Sequence, residues 1–280
     1  MSSKIPVVNY LTSTLGSKIR IVTRPMNQNR SVSICLFVKV GSRNEHPEIA
    51  GITHLIEHLL FKGTEKRPSP MEISSAIEGV GGILNASTEQ EFTTYWCKVP
   101  QPYMAEGLDL LVDMVRSPLF APEELNRERL VIIEEQKMSG DHPDMQLESL
   151  MDKLLWPNHP LGQEIAGTRE SIGSITHQMV LDYFAKYYSP SNMVISVAGD
   201  IDHDDVTQQV ESLCEGWQAV ETPSWIPFIE KQCAPRCSIA SRKTEQSHLS
   251  IALPTVSATH PERYAIDVLN TILGEGMSSR

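Results

Sequence analysis

Two stretches near the N-terminus alternate apolar and polar residues, KIRIVTRP at 18–25 and SVSICLFVKV at 31–40, with the turn-rich MNQNR between them. The alternation predicts strands with one buried face, and the short polar connection predicts that they form a hairpin. EFTTYWCKV at 91–99 and NMVISVAG at 192–199 read as two further strands. Helical stretches lie between them. Ser69, Pro70 and Glu72 make a capping-box start with proline at the first helical position, and Gly79, Gly81 and Gly82 stop that helix. PEELNRERLVIIEEQKM at 122–138 has no glycine and no internal proline and is the strongest helix in the chain. Interleaved helices with hairpin signals predict an α+β fold: a two-layer sandwich, mostly antiparallel sheet with helices packed on one face.

A proline-bearing segment at 217–237, WQAVETPSWIPFIEKQCAPRC, interrupts the pattern. It implies a domain over 1–220, a linker over 221–237 and a further region over 238–280. In that last region LSIAL at 249–253 echoes VSICL at 32–36, and HPE at 260–262 echoes HPE at 46–48. Each HPE precedes a helix-like apolar run, so the region reads as the truncated start of a second homologous domain.

Composition narrows the partners. Twenty-four basic against 35 acidic side chains leave a net charge of −11. This argues against nucleic acid or an anionic membrane surface as the main partner and fits basic substrates. No uninterrupted apolar run reaches the roughly 18 residues that a membrane helix needs. The start MSSKIPVVNY lacks both the apolar core of a secretory signal and the Arg-rich amphipathy of a transit peptide. A bacterial cytoplasmic location is the expectation, with the mitochondrial matrix as the alternative. The five cysteines are an odd, scattered set, more like reduced thiols than a disulfide framework.

GITHLIEHLLFKGT at 51–64 sets His54, Glu57 and His58 into an otherwise apolar helix, where unpaired polar groups are costly to bury. Residues four apart share a helix face, so His54 and His58 can aim two imidazole nitrogens at one point, with Glu57 beside them. That is the His-x-x-Glu-His order of the inverzincin signature, and zinc accepts the geometry. A catalytic zinc takes three protein ligands and keeps one position open, so a third donor is needed. The 122–138 helix offers Glu123, Glu124, Glu128, Glu134 and Glu135. Glu128 and Glu135 stand seven apart on one face, but helix geometry does not separate Glu134 from Glu135. With the two HPE strings in register, the positions matching the trio are Val268, Thr271 and Ile272, so the second copy lacks the metal motif.

Taken in order, GSRNEHPEIAGITHLIEHLLFKGT, GGILNASTEQEFTTYW, LNRERLVIIEEQKM, HPLGQEIAGT, YYSPSNMVISVAGD and LNTILGEGMSSR resemble landmarks of one family. It is the pitrilysin, insulin-degrading enzyme and mitochondrial processing peptidase family of zinc metallopeptidases. The sequence is most similar to short bacterial members resembling the processing peptidase β subunit, over nearly the whole chain. The resemblance implies Zn2+ held by His54, His58 and Glu135, with Glu57 as general base and Glu128 supporting the site. It places Asn85 and Ala86 on an edge strand where an extended substrate lies by strand addition. The implied activity is that of a zinc-dependent endopeptidase acting on peptides or on unfolded, presequence-like segments. The implied assembly is a homodimer, or a pairing with a partner of the same family, in the full-length form. Family enzymes also use an Arg and a Tyr downstream of the GMSSR landmark, so a fragment inactive without its C-terminal domain is one alternative. A non-catalytic structural or substrate-presenting relative is another, although such relatives typically lose parts of a motif that stands complete here.

Several residues are expected to be unconnected with this chemistry. In AGDIDHDD at 198–205, Asp204 or Asp205 is expected to cap the helix VTQQVESL, and His159 reads as a loop residue. Met104, Met114, Met138 and Met151 read as core filler.

Overall fold

The computed structural model describes residues 9–229, 232–242 and 245–279. Residues 1–8 of the N-terminal start, Glu230 and Lys231 of the expected linker, and Arg280 of the last landmark lie outside the described residues. Among the described residues six strands, β1 (Leu11–Thr14), β2 (Arg20–Pro25), β3 (Ser31–Val38), β4 (Ile83–Thr88), β5 (Thr93–Pro100) and β6 (Met193–Gly199), form one open sheet. Their order is β1-β2-β6-β3-β5-β4, and every pairing is antiparallel except β2 with β6. The helices are α1 (Ile52–Leu60), α2 (Pro70–Glu78), α3 (Met104–Arg116), α4 (Pro122–Asp141), α5 (Pro143–Leu155), α6 (Arg169–Ser174), α7 (His177–Tyr187), α8 (His203–Leu213) and α9 (Arg263–Asn270).

Alternation along the strands builds the core. Val32, Ile34, Leu36 and Val38 of β3 are buried, and Ile34 stands opposite Cys97 of β5 and Val197 of β6, both also buried. Helices α1, α2, α3 and α8 pack on the sheet and cover this apolar face. Each fully buried Ile or Leu contributes about 1.5–3 kcal/mol, so the layer is strongly held. The fold is the expected α+β sandwich. Ser69 caps α2 as the sequence predicts, accepting from the Glu72 N–H at 3.3 Å while the Glu72 carboxylate accepts from the Ser69 N–H at 3.2 Å.

The hairpin expected between residues 18–25 and 31–40 does not form. β6 lies between β2 and β3 and takes the ladder hydrogen bonds of both, because its alternate residues Met193, Ile195 and Val197 belong to the same buried face. The hairpin falls one strand earlier, between β1 and β2, where Lys18 adopts a left-handed φ of 71°. Asp202, rather than Asp204 or Asp205, caps α8, accepting from the N–H groups of Asp204 at 2.8 Å and Asp205 at 3.2 Å. His203 joins α8 to the sheet through Ser13 and Thr23, each at 2.7 Å. Of the expected core methionines, Met114 is fully buried but Met138 is exposed.

The chain divides into two units between Ile239 and Ala240. The described part of the proline-bearing segment lies along the first unit. Trp225 packs its ring against Lys39 and Arg43, and the Ile226 carbonyl accepts from Arg43 at 3.0 Å. In the second unit, α9 has no buried residue, and the strand-like string at 249–253 forms no strand. A strand requires a neighbour for its backbone groups, and no described segment of that unit pairs with it.

Candidate metal centre

The trio is set by the way α1 begins. Ile52, Leu55, Ile56, Leu59 and Leu60 recur at helical spacing and are buried, which fixes the rotation of the helix and leaves His54, Glu57 and His58 on its less buried side. The N-terminal N–H groups have no intrahelical acceptor. Glu45, itself buried, accepts from the N–H of Gly51 at 2.7 Å and of Thr53 at 2.9 Å. Burial pushes the Glu45 carboxyl up to about 7, although these donors and the Thr53 side chain pull the other way. Gly51 has φ +92°, and a Cβ there would lie 2.7 Å from the Ala166 carbonyl oxygen, so only glycine fits where the two segments cross.

Around this helix the polar groups converge. The Nε2 atoms of His54 and His58 lie 3.2 Å apart, with the ring planes at 80°. The Nδ1 of His58 lies 3.0 Å from Glu128 Oε2, and the other Glu128 oxygen accepts from Lys62 Nζ at 2.8 Å. A carboxylate at Nδ1 holds the proton on that nitrogen and turns the Nε2 lone pair towards His54. Glu135, two turns beyond Glu128 on α4, brings Oε2 to 3.7 Å from His58 Nε2. Glu134 is turned out to solvent and pairs with Lys137 at 2.5 Å. Of the two glutamates that helix geometry left open, Glu135 is the one brought to the histidines. Asn85 and Ala86 stand on β4, the edge of the sheet, outside the cluster, and the Asn85 side-chain oxygen accepts from the Ala86 N–H at 2.8 Å.

The donor set fits zinc. His54, His58 and Glu135 each offer one atom, and these lie within 4.8 Å of one another. Ligands about 2.0–2.1 Å from a tetrahedral zinc stand roughly 3.3 Å apart, close to the imidazole separation observed. Burial, with His58 beside it, lowers the His54 pKa to about 4, so its ring is neutral near pH 7 and has a lone pair to give. The buried His54 Nδ1 has no hydrogen-bond partner among the described residues.

Three participants were invisible in the sequence pattern. Lys62 lies just past the end of α1 and Glu45 in a loop, where no periodicity marks either. Thr88, the last residue of β4, donates its hydroxyl to Glu57 Oε2. Burial raises the Glu57 pKa, against the Thr88 hydroxyl and the charge of His58. Met138, Leu130 and Val131 stand exposed beside Glu134 and Glu135 and line a shallow apolar depression of about 400 Å³.

Comparison with known proteins gives the same direction. The sequence model described as insulinase, Peptidase family M16, matches residues 20–169, and one described as the Peptidase M16 inactive domain matches residues 174–280. A protein of Streptomyces coelicolor named as an uncharacterized zinc protease is 36% identical over 274 residues, 96% of this chain and 60% of the relative. The uncharacterized zinc protease YmxG of Bacillus subtilis is 36% identical over 269 residues, 95% of this chain and 64% of the relative. The chain thus spans about three fifths of the length of these curated relatives. A crystal structure described as a protease from Helicobacter pylori superposes with a TM-score of 0.85 at 24% identity, covering 97% of this chain and 66% of the other, a likeness of fold.

Proposed function

Because the chain belongs to the insulinase family of M16 peptidases, we propose that it carries the metal centre of a zinc-dependent endopeptidase. The observation that carries this reading is the convergence of His54 Nε2, His58 Nε2 and Glu135 Oε2 beside Glu57. In this reading His54, His58 and Glu135 hold the ion. When bound, zinc supplies Lewis acidity, acidifying water and polarising the scissile carbonyl. Glu57 takes a proton from the attacking water and later delivers it to the leaving amine, so the carboxylate is restored at the end of the cycle. Glu128 orients the His58 ring, and Lys62 compensates the Glu128 charge.

An extended peptide or a presequence-like segment is the proposed substrate. It would add to the free edge of β4 at Asn85 and Ala86, held by main-chain hydrogen bonds that do not depend on its sequence. Net charge of −11 favours basic segments. The division of labour belongs to the same proposal: residues 1–220 carry the metal chemistry, 221–237 join, and 238–280 open a second copy without the motif. So do a bacterial cytoplasmic location and pairing with a second chain of the family. Among the described residues no helix is long and apolar enough to cross a membrane.

A second reading, a non-catalytic relative, is favoured by the match of residues 174–280 to the inactive domain. Cleavage of a quenched basic peptide separates the two. The peptidase reading predicts zinc-dependent cleavage that is abolished by a chelator, restored by zinc, and absent in Glu57→Gln. Cleavage unaffected by chelation, or equal in Glu57→Gln, contradicts it.

A further inference from the structure

The side-chain hydrogen bond found at Glu57 comes from the last residue of the edge strand, Thr88. Thr88 is itself held hard. It pairs with Thr93 in the β4–β5 ladder, and the next residue closes the hairpin, Glu89 N–H donating to the Phe92 carbonyl at 2.8 Å. The loop after β3 grips the same hairpin end, with Ser42 N–H on the Glu89 carbonyl at 3.3 Å and Arg43 N–H on the Gln90 carbonyl at 2.8 Å. Arg43 also pairs with Glu91. The approach is so close that a Cβ on Gly41 would lie 2.2 Å from the Glu89 oxygen. A few residues on, the same loop supplies Glu45, whose carboxylate fixes the start of α1. The strand end and the helix bearing Glu57 are therefore set by one piece of backbone, and the Thr88 hydroxyl bridges them.

Resting on the peptidase reading above, we propose that Thr88 is a positioning residue for Glu57. Its hydroxyl occupies Oε2, which fixes the carboxylate plane and leaves Oε1 as the oxygen that receives the proton. Two heavy atoms on Cβ restrict χ1 of threonine, so the hydroxyl is presented in one direction. Since Thr88 ends the strand on which the substrate would lie, the same contact ties the base to the register of the bound peptide.

The test compares Thr88→Val, which keeps the shape and removes the donor, with Thr88→Ser, which keeps the donor. Losing a hydrogen bond to a charged group is expected to lower kcat about 10- to 100-fold in Thr88→Val. KM should stay within about twofold for a loss confined to the reacting state, zinc content should be unchanged, and Thr88→Ser should recover most of kcat. An independent readout is a denaturant double-mutant cycle of Thr88→Val with Glu57→Ala, which removes the acceptor, in the protein as purified, where a coupling of roughly tenfold in the unfolding constant is expected. Wild-type kcat in Thr88→Val, a change in KM alone, a Thr88→Ser as impaired as Thr88→Val, or no coupling would each overturn the proposal. If wild type cleaves no faster than Glu57→Gln, the peptidase reading fails instead, and the unfolding cycle still decides the Thr88 contact.

Discussion

Two helices follow the same HPE string and meet opposite surroundings. In α1, six of nine residues are buried, whereas α9 buries none and leaves Val268 60% and Ile272, just beyond its end, 53% exposed. Both segments carry apolar residues at helical spacing, so amphipathicity does not distinguish them. What differs is the neighbourhood. α1 packs against α4 and β4, which bring Glu128 to His58, Glu135 to the shared face and Thr88 to Glu57. Val268, Thr271 and Ile272, at the same spacing after their own HPE string, present no charge that needs such partners. A polar trio is tolerable inside an apolar helix only where adjacent elements supply donors, acceptors or an ion.

The most drastic way to break the contrast is to give α1 the residues of the other segment. The triple variant His54→Val, Glu57→Thr, His58→Ile should lose zinc binding and hydrolysis altogether while still unfolding cooperatively, as metal analysis, peptide cleavage and a thermal melt would report. Next in size is Glu57→Gln, expected to retain stoichiometric zinc and to lose about 10²- to 10⁴-fold in kcat. A smaller change follows from Glu128→Gln, which weakens the hold on the His58 ring; competition with a chelator should show zinc affinity down by about 10- to 100-fold.

The smallest expected effect concerns stability alone. Folding raises the Glu45 carboxyl from 4.5 to about 7, so the native state favours its protonated form. The stability this confers is fully present below the unfolded value and is lost as the pH rises through the folded one. Thermal melts of wild type should therefore fall from about pH 5 to about pH 8 more steeply than those of Glu45→Gln. Parallel profiles would refute the assignment.

Much of this was legible in the residues, for physical reasons that also mark the gaps. Buried alternation located β2, β3, β5 and β6 within a few residues, because half-buried strands have a period of two. It did not show which strands pair: β6 comes about 160 residues after β3 in the chain yet displaces the short-range hairpin. Strand β4 carries little alternating signal, since Ile83, Asn85 and Ser87 face solvent on an edge, and its place came from the family resemblance. His54, Glu57 and His58 stood out because a single helix carries them. Local spacing did not separate Glu134 from Glu135; the family resemblance pointed to Glu135, and the orientation of α4, set by packing between helices, is what brings it to His58. Thr88 reaches Glu57 from another element 31 residues on, so no pattern within a window could have flagged it. Glu45 lies only six residues before Gly51, but in a loop where no periodicity marks it.

Zinc X-ray absorption on the purified protein, together with metal stoichiometry, tests the central claim most directly. One zinc per chain with only nitrogen and oxygen neighbours, two of them imidazoles, and its loss in both His54→Ala and Glu135→Ala is the predicted result. Sulfur in the coordination shell, implicating the exposed Cys233 and Cys237, or zinc retained in both variants, would contradict it.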